Sequence, residues 1–193
     1  MRLDILNNGY RPGTKVLFTL IRVFSGHPLP DAAKLVFYRP DFYGSFAKKF
    51  THEAMRGPSD WSVGDRELMA AFVSQVNECA FCVGAHTATA GQAYRDETKV
   101  QAVLADVDSA PIEEGLRATL RMLAKLTKSG TVDAGDMREV LSTGVTPQQI
   151  KDALAVCAAF NTTDHLADAF DFEFLSPAGF AAGAKFLLKR GYR

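Results

Sequence analysis

Cysteine is scarce in this 193-residue chain: there are three, an odd number. That count excludes the paired disulfide framework of a small secreted protein. An excess of one charge is also missing, because 22 basic residues balance 22 acidic ones. No basic field invites nucleic acid, and no acidic tail repels partners. Long apolar runs are absent too; the best, residues 16–24, is interrupted by Thr19 and Arg22 and is too short to span a bilayer. The amino terminus lacks a basic-plus-apolar leader ending in a small-residue cleavage site. With no repeats or low-complexity runs either, the expectation is a cytoplasmic protein with neither nucleic acid nor membrane as partner.

What is present is helical periodicity. Apolar residues recur at 3.6-residue spacing, and no alternating strand pattern stands out. Residues 11–25 read as a helix with Val16, Leu17, Leu20, Ile21 and Phe24 on one side, stopped by Gly26, Pro28 and Pro30. Asp31 can cap a short helix that Arg39-Pro40 interrupts. Phe42, Tyr43, Phe46 and Phe50 read as core or subunit interface. Ser62 with Asp65, and Thr146-Pro147 with Gln149, have the form of capping boxes. Glu113, Arg117, Arg121 and Lys125 share one face and read as solvated i,i+4 pairs. The chain is expected to form a single all-α domain of seven or eight helices, with residues 1–57 as a helical extension packed on a core of residues 58–193. Such a length buries roughly 70% of the unfolded surface, so neither disulfide nor metal is needed merely to fold.

The chemistry concentrates in residues 61–90. Cys79 and Cys82 form a Cys-x-x-Cys pair, His86 follows Cys82 by four residues, and Glu67 precedes Cys79 by twelve. On one helix Cys79, Cys82 and His86 would fall within an arc of about 60°. Cys82 and His86 are then i,i+4 neighbours, so the imidazole can take the thiol proton and hold the reactive thiolate. The helix start would favour a thiolate at Cys79 as well. Glu67 would lie about 18 Å away on a straight helix, so it joins the others only if the chain turns near Asn77-Glu78. Cys157 alone reads as a small buried apolar residue, and His27, His52 and His165 as loop or surface residues. The same Cys79, Cys82, His86 and Glu67 are legitimate zinc ligands, which makes a zinc-binding domain the main rival reading.

Glu67, eleven residues, Cys79, two residues, Cys82, three residues and His86 together resemble the active-site pattern of the alkylhydroperoxidase D-like family within the carboxymuconolactone decarboxylase superfamily. Arg66-Glu67-Leu68, the run Val83-Gly84-Ala85-His86-Thr87-Ala88, and Phe160-Asn161 through Leu166-Ala167-Asp168-Ala169 are similar as well, although His165 stands where that branch carries an arginine. The resemblance implies an all-α homo-oligomer acting as a thiol-dependent hydroperoxide reductase with no cofactor and no metal. It implies that Cys82 attacks the hydroperoxide, and that Cys79 donates a proton to the leaving oxygen and then resolves the product as a Cys79–Cys82 redox disulfide. His86 would be the base for Cys82, Glu67 would orient His86, and an external dithiol of lipoyl or thioredoxin type would be the reductant. A decarboxylase-like reaction on a small carboxylic acid, using His86 and Glu67 alone, is the alternative within the same superfamily.

Overall fold

The computed structural model describes residues 4–192, with the Phe42 side chain also outside the described residues. Eleven α-helices make up the described chain: α1 (Ile5–Asn8), α2 (Pro12–Ser25), α3 (Asp31–Tyr38), α4 (Ser45–Arg56), α5 (Val63–Val76), α6 (Ala80–Tyr94), α7 (Glu97–Ala105), α8 (Glu114–Ser129), α9 (Ala134–Ser142), α10 (Pro147–Ala169) and α11 (Pro177–Arg190). The all-α class agrees with the sequence reading, whereas the expected count of seven or eight helices is corrected to eleven. The difference lies partly in α1, whose four residues complete one turn, so a 3.6-residue period cannot declare itself there. It lies also in α4, whose aromatic spacing reads as core or interface rather than as a helix.

Local chemistry explains where the longer helices start and stop. Ser62 accepts the Asp65 backbone N–H at 3.0 Å and Asp65 returns a bond to the Ser62 N–H, which opens α5. Thr146 and Gln149 do the same for α10, with Pro147 in its first turn. Gly26 and Gly130, at φ 72° and 71°, end α2 and α8 in the left-handed conformation. Asp31 departs from expectation: it caps no helix of its own but accepts the Glu173 backbone N–H at 2.9 Å and pairs with Lys34. A π-helical turn at Pro40–Gly44 joins α3 to α4. Gly44 is required there, since a Cβ would sit 2.1 Å from the Val36 carbonyl oxygen.

Helix α5 is buried on every side from Arg66 to Ser74 and forms the axis of the molecule. It packs against α6, α7, α8 and α10 and, at its start, α4. Leu68, Met69 and Val73 from α5, Leu120 and Leu123 from α8, and Val156 and Phe160 from α10 meet in the main core. A second, smaller cluster joins Leu6, Leu35, Phe81, Phe172 and Phe180 to Cys79 and Cys82. Helix α6 approaches α11 closely, because Gly84 leaves room for the Phe180 ring.

Two sequence expectations change in the packing. The α8 charges do not pair along their own helix at i,i+4. Arg117 instead bonds Glu114 and the carbonyls of Val107, Asp108, Ala110 and Ile112, while Lys125 reaches Asp133 and Asp136. Helix α2 forms as expected, but Val16, Leu20, Val23 and Phe24 face outward and none of its residues is buried in this chain. Among the described residues, no helix is long and apolar enough to cross a membrane.

Candidate active site

Glu67 sits in the middle of α5 with no exposed surface. A carboxylate at that depth must be paired and hydrogen-bonded. Arg56 Nη2, from the last turn of α4, donates to Oε1 at 2.6 Å. The Tyr192 hydroxyl, just beyond α11, reaches Oε1 at 2.9 Å and Oε2 at 3.2 Å. His86 Nδ1, from α6, lies 2.7 Å from Oε2. Burial pushes the Glu67 carboxyl up, but His86 and Arg56 outweigh it and hold the group below its ordinary range. Because a carboxylate only accepts, the facing Nδ1 carries hydrogen and Nε2 is the imidazole atom left to take a proton. The ring is further held edge-on by Phe160, with centroids 4.3 Å apart, and lies nearly parallel to Tyr192 at 6.4 Å.

The two cysteines come from the reversal between α5 and α6. Asn77 caps α5, Glu78 takes a left-handed φ of 59°, and the Cys79 N–H returns to the Ser74 carbonyl at 3.0 Å. This turn is what carries Glu67 back beside His86. Cys79 is the N-cap of α6, with ψ 92°, and Cys82 lies in its first turn. Only Cys82 and His86 therefore share the helical ridge, and the expected three-residue arc is corrected: Cys79 stands just outside the helix. Both sulfurs are free thiols and only 1% of each residue is exposed.

The carboxylate nearest the sulfurs is one the motif does not contain. An Asp164 oxygen and the sulfurs of Cys79 and Cys82 all lie within 4.8 Å of one another. Asp164 is fully buried on α10; Ser74 Oγ donates to its Oδ1 and Asn77 Nδ2 to its Oδ2, each at 2.8 Å. Burial pushes the Asp164 carboxyl up, against the lowering effect of Asn77, Cys82 and Ser74. The Cys79 sulfur, burial and the Asp164 charge in turn push the Cys82 thiol up. Among the described residues, no hydrogen bond joins His86 to either sulfur, so the expected direct Cys82–His86 pair is not made in this state. The zinc set of the rival reading is not assembled either, because the two Glu67 oxygens are engaged by Arg56, His86 and Tyr192. What remains is two sulfurs and one carboxylate already bonded to Ser74 and Asn77, one donor short of a tetrahedral structural site.

The remaining candidates fall where small roles suffice. Cys157 is buried in the main core, 3.5 Å from Thr127 Oγ1 and 3.2 Å from Asn161 Nδ2. His52 accepts the Tyr192 backbone N–H at 3.3 Å, and His165 is exposed on α10. Arg56, Tyr192 and Asp164 were not visible from the motif. A signal for Asp164 was available: it interrupts the apolar stripe Ala153, Val156, Cys157, Phe160, Ala167 on α10. No comparable local signal marks Arg56 or Tyr192.

Residues 40–125 match the carboxymuconolactone decarboxylase family. None of the curated proteins compared matches the sequence. Among solved structures, the chain is similar to a peroxidase-related protein from Silicibacter sp. TM1040, at 24% identity and TM-score 0.77 over 92% of this chain and 93% of that one. It is similar to an alkylhydroperoxidase D core, peroxidase-related protein from Ralstonia eutropha JMP134, at 19% identity and TM-score 0.75 over 90% and 91%. It also shares its fold with a cysteine-to-alanine variant of the debrominase Bmp8 in complex with 2,3,4-tribromopyrrole, at 16% identity and TM-score 0.69 over 92% and 91%.

Proposed function

We propose that the chain is an alkylhydroperoxidase D-like member of the carboxymuconolactone decarboxylase superfamily and that it reduces hydroperoxides with its Cys79–Cys82 pair. The observation that carries this reading is the approach of two buried thiols to within 4.8 Å at the start of one helix, beside a carboxylate-held imidazole. In the reaction, the Cys82 sulfur attacks one peroxide oxygen as the O–O bond breaks, and the alcohol leaves with a proton. The resulting sulfenic acid is displaced by the Cys79 sulfur, which releases water and forms the disulfide. An external dithiol then gives two electrons and two protons to restore both thiols. Closing the pair brings the sulfurs to the roughly 2.05 Å of a disulfide, a movement that the non-helical N-cap position of Cys79 accommodates. His86 and Glu67 act as the relay that exchanges protons with the pair.

The test is mass spectrometry of reduced protein after one equivalent of hydroperoxide. A loss of two hydrogens localised to a Cys79–Cys82 bridge is expected, with none in Cys82→Ser. An unmodified wild-type protein, across several hydroperoxides and dithiols, would sink the proposal. Assembly as a homo-oligomer belongs to the same reading, supported by the uncovered apolar side of α2.

A second reading is a proton transfer on a small carboxylic acid run by Glu67 and His86. It is favoured by the completeness of that pair without any bond to the sulfurs. Activity that survives replacement of both cysteines would establish it over the first.

A further inference from the structure

The peroxidase reading leaves open which group takes the Cys82 proton, and the sulfur's surroundings answer it. His86 has Nδ1 committed to Glu67 and makes no hydrogen bond to Cys82 among the described residues. Asp164, on α10, has an oxygen within 4.8 Å of both sulfurs. Contact between that carboxylate and the Cys82 thiol pushes the first down and the second up. The donors fixed on Asp164 are neutral: Ser74 on Oδ1 and Asn77 on Oδ2, with Asn77 itself tied to Asn161 Oδ1 at 2.9 Å. They aim the carboxylate without supplying a compensating cation. Such a group is a stronger base than an exposed aspartate, and it faces the sulfur that has to be deprotonated.

We infer that Asp164 is the immediate proton acceptor for Cys82, and that it returns this proton to the leaving oxygen when the O–O bond breaks. The step balances within the pair: the thiol proton moves to the Asp164 carboxylate, the sulfur bonds the peroxide oxygen, and the new carboxylic acid protonates the departing alkoxide. This assignment rests on the peroxidase reading for its second half, whereas the thiol–carboxylate couple stands without it. The titratable groups facing Asp164 are Cys82, Cys79 and His86 from α6 and Cys157 from its own helix.

The experiment has two arms on the full-length reduced protein. The first follows disulfide formation with tert-butyl hydroperoxide against pH; the second follows Cys82 alkylation by iodoacetamide, read by peptide mass. In the wild type, peroxide reactivity should fall on acidification as Asp164 gains a proton. Asp164→Asn should lose that acidic limb and react about 100-fold more slowly at neutral pH. Its Cys82 should nonetheless alkylate with a midpoint about one pH unit lower, since a negative neighbour has gone. Opposite movements of the two rates are not what a merely damaged site would give. Ser74→Ala provides a gentler variant should Asp164→Asn not fold: with one donor lost, the acidic limb should move to higher pH. An acidic limb and alkylation midpoint unchanged in these variants would overturn the inference. If the wild type forms no disulfide with hydroperoxide, the peroxidase reading fails, and the alkylation midpoint alone then supports or overturns the thiol–carboxylate couple.

Discussion

Two carboxylates in this site have no exposed surface, and their neighbours differ in kind. Glu67 is met by a guanidinium, an imidazole and a phenol hydroxyl, whereas Asp164 is met by a hydroxyl, an amide and two thiols. Burial pushes both groups up. At Glu67 the interactions with His86 and Arg56 reverse that push, while at Asp164 the bonds from Asn77, Cys82 and Ser74 do not. Depth alone therefore does not set the protonation of a buried acid; the charge of its donors does. One side of the site is built to hold a fixed negative charge. The other holds its acid nearer to its neutral form.

The largest break in this comparison should come from Arg56→Met, which leaves Glu67 buried without its cation. A loss of about 3–5 kcal/mol in unfolding free energy is expected from denaturant titration. Tyr192→Phe removes one neutral donor from the same carboxylate and should cost about 1.5–3 kcal/mol, with the Glu67 carboxyl moving upward. Ser74→Ala tests the other side and should cost about 1 kcal/mol. A cost at Ser74 as large as that at Arg56 would show that the two sides do not differ as described.

The smallest effect, and the sharpest in sign, is the pH dependence. The folded Glu67 carboxyl lies below its unfolded value, so its contribution is complete above that unfolded value and is lost as pH falls through the folded one. The folded Asp164 carboxyl lies above its unfolded value, so the folded state binds this proton more readily and gains stability as pH falls. Comparing unfolding midpoints from about pH 7 down to about pH 2, Asp164→Asn should deepen the acid-induced loss of stability, and Glu67→Gln should lessen the part of it that falls below about pH 4.5. Equal slopes in both variants would remove the distinction.

How far the sequence reached follows from the range of each interaction. The capping boxes at Ser62 and Thr146 and the Cys79–Cys82–His86 spacing are local, and they were legible as residues three or four apart. The need for a reversal near Asn77-Glu78 was legible too, because a straight helix cannot bring Glu67 to His86. The partners distant in sequence were not. Tyr192 meets Glu67 across 125 positions, and Asp164 meets Ser74 across 90. No periodicity encodes such pairings. The helix count falls short for a related reason: α1 ends after four residues, before any pattern repeats, and the aromatic spacing over α4 reads as core or interface rather than as a helix. Helix α2 shows the converse, a clear apolar side that this chain leaves uncovered.

The aromatic and aliphatic cluster around the cysteines has a kinetic consequence. Leu6, Leu35, Phe81, Phe172 and Phe180 close over sulfur atoms that solvent barely touches. An oxidant meets them only while this wall parts, so the observed rate should level off at high oxidant concentration, at the frequency of that breathing. Bulky and slender oxidants would then share one ceiling yet approach it at different concentrations, and trimming Leu6 to alanine would raise the ceiling itself.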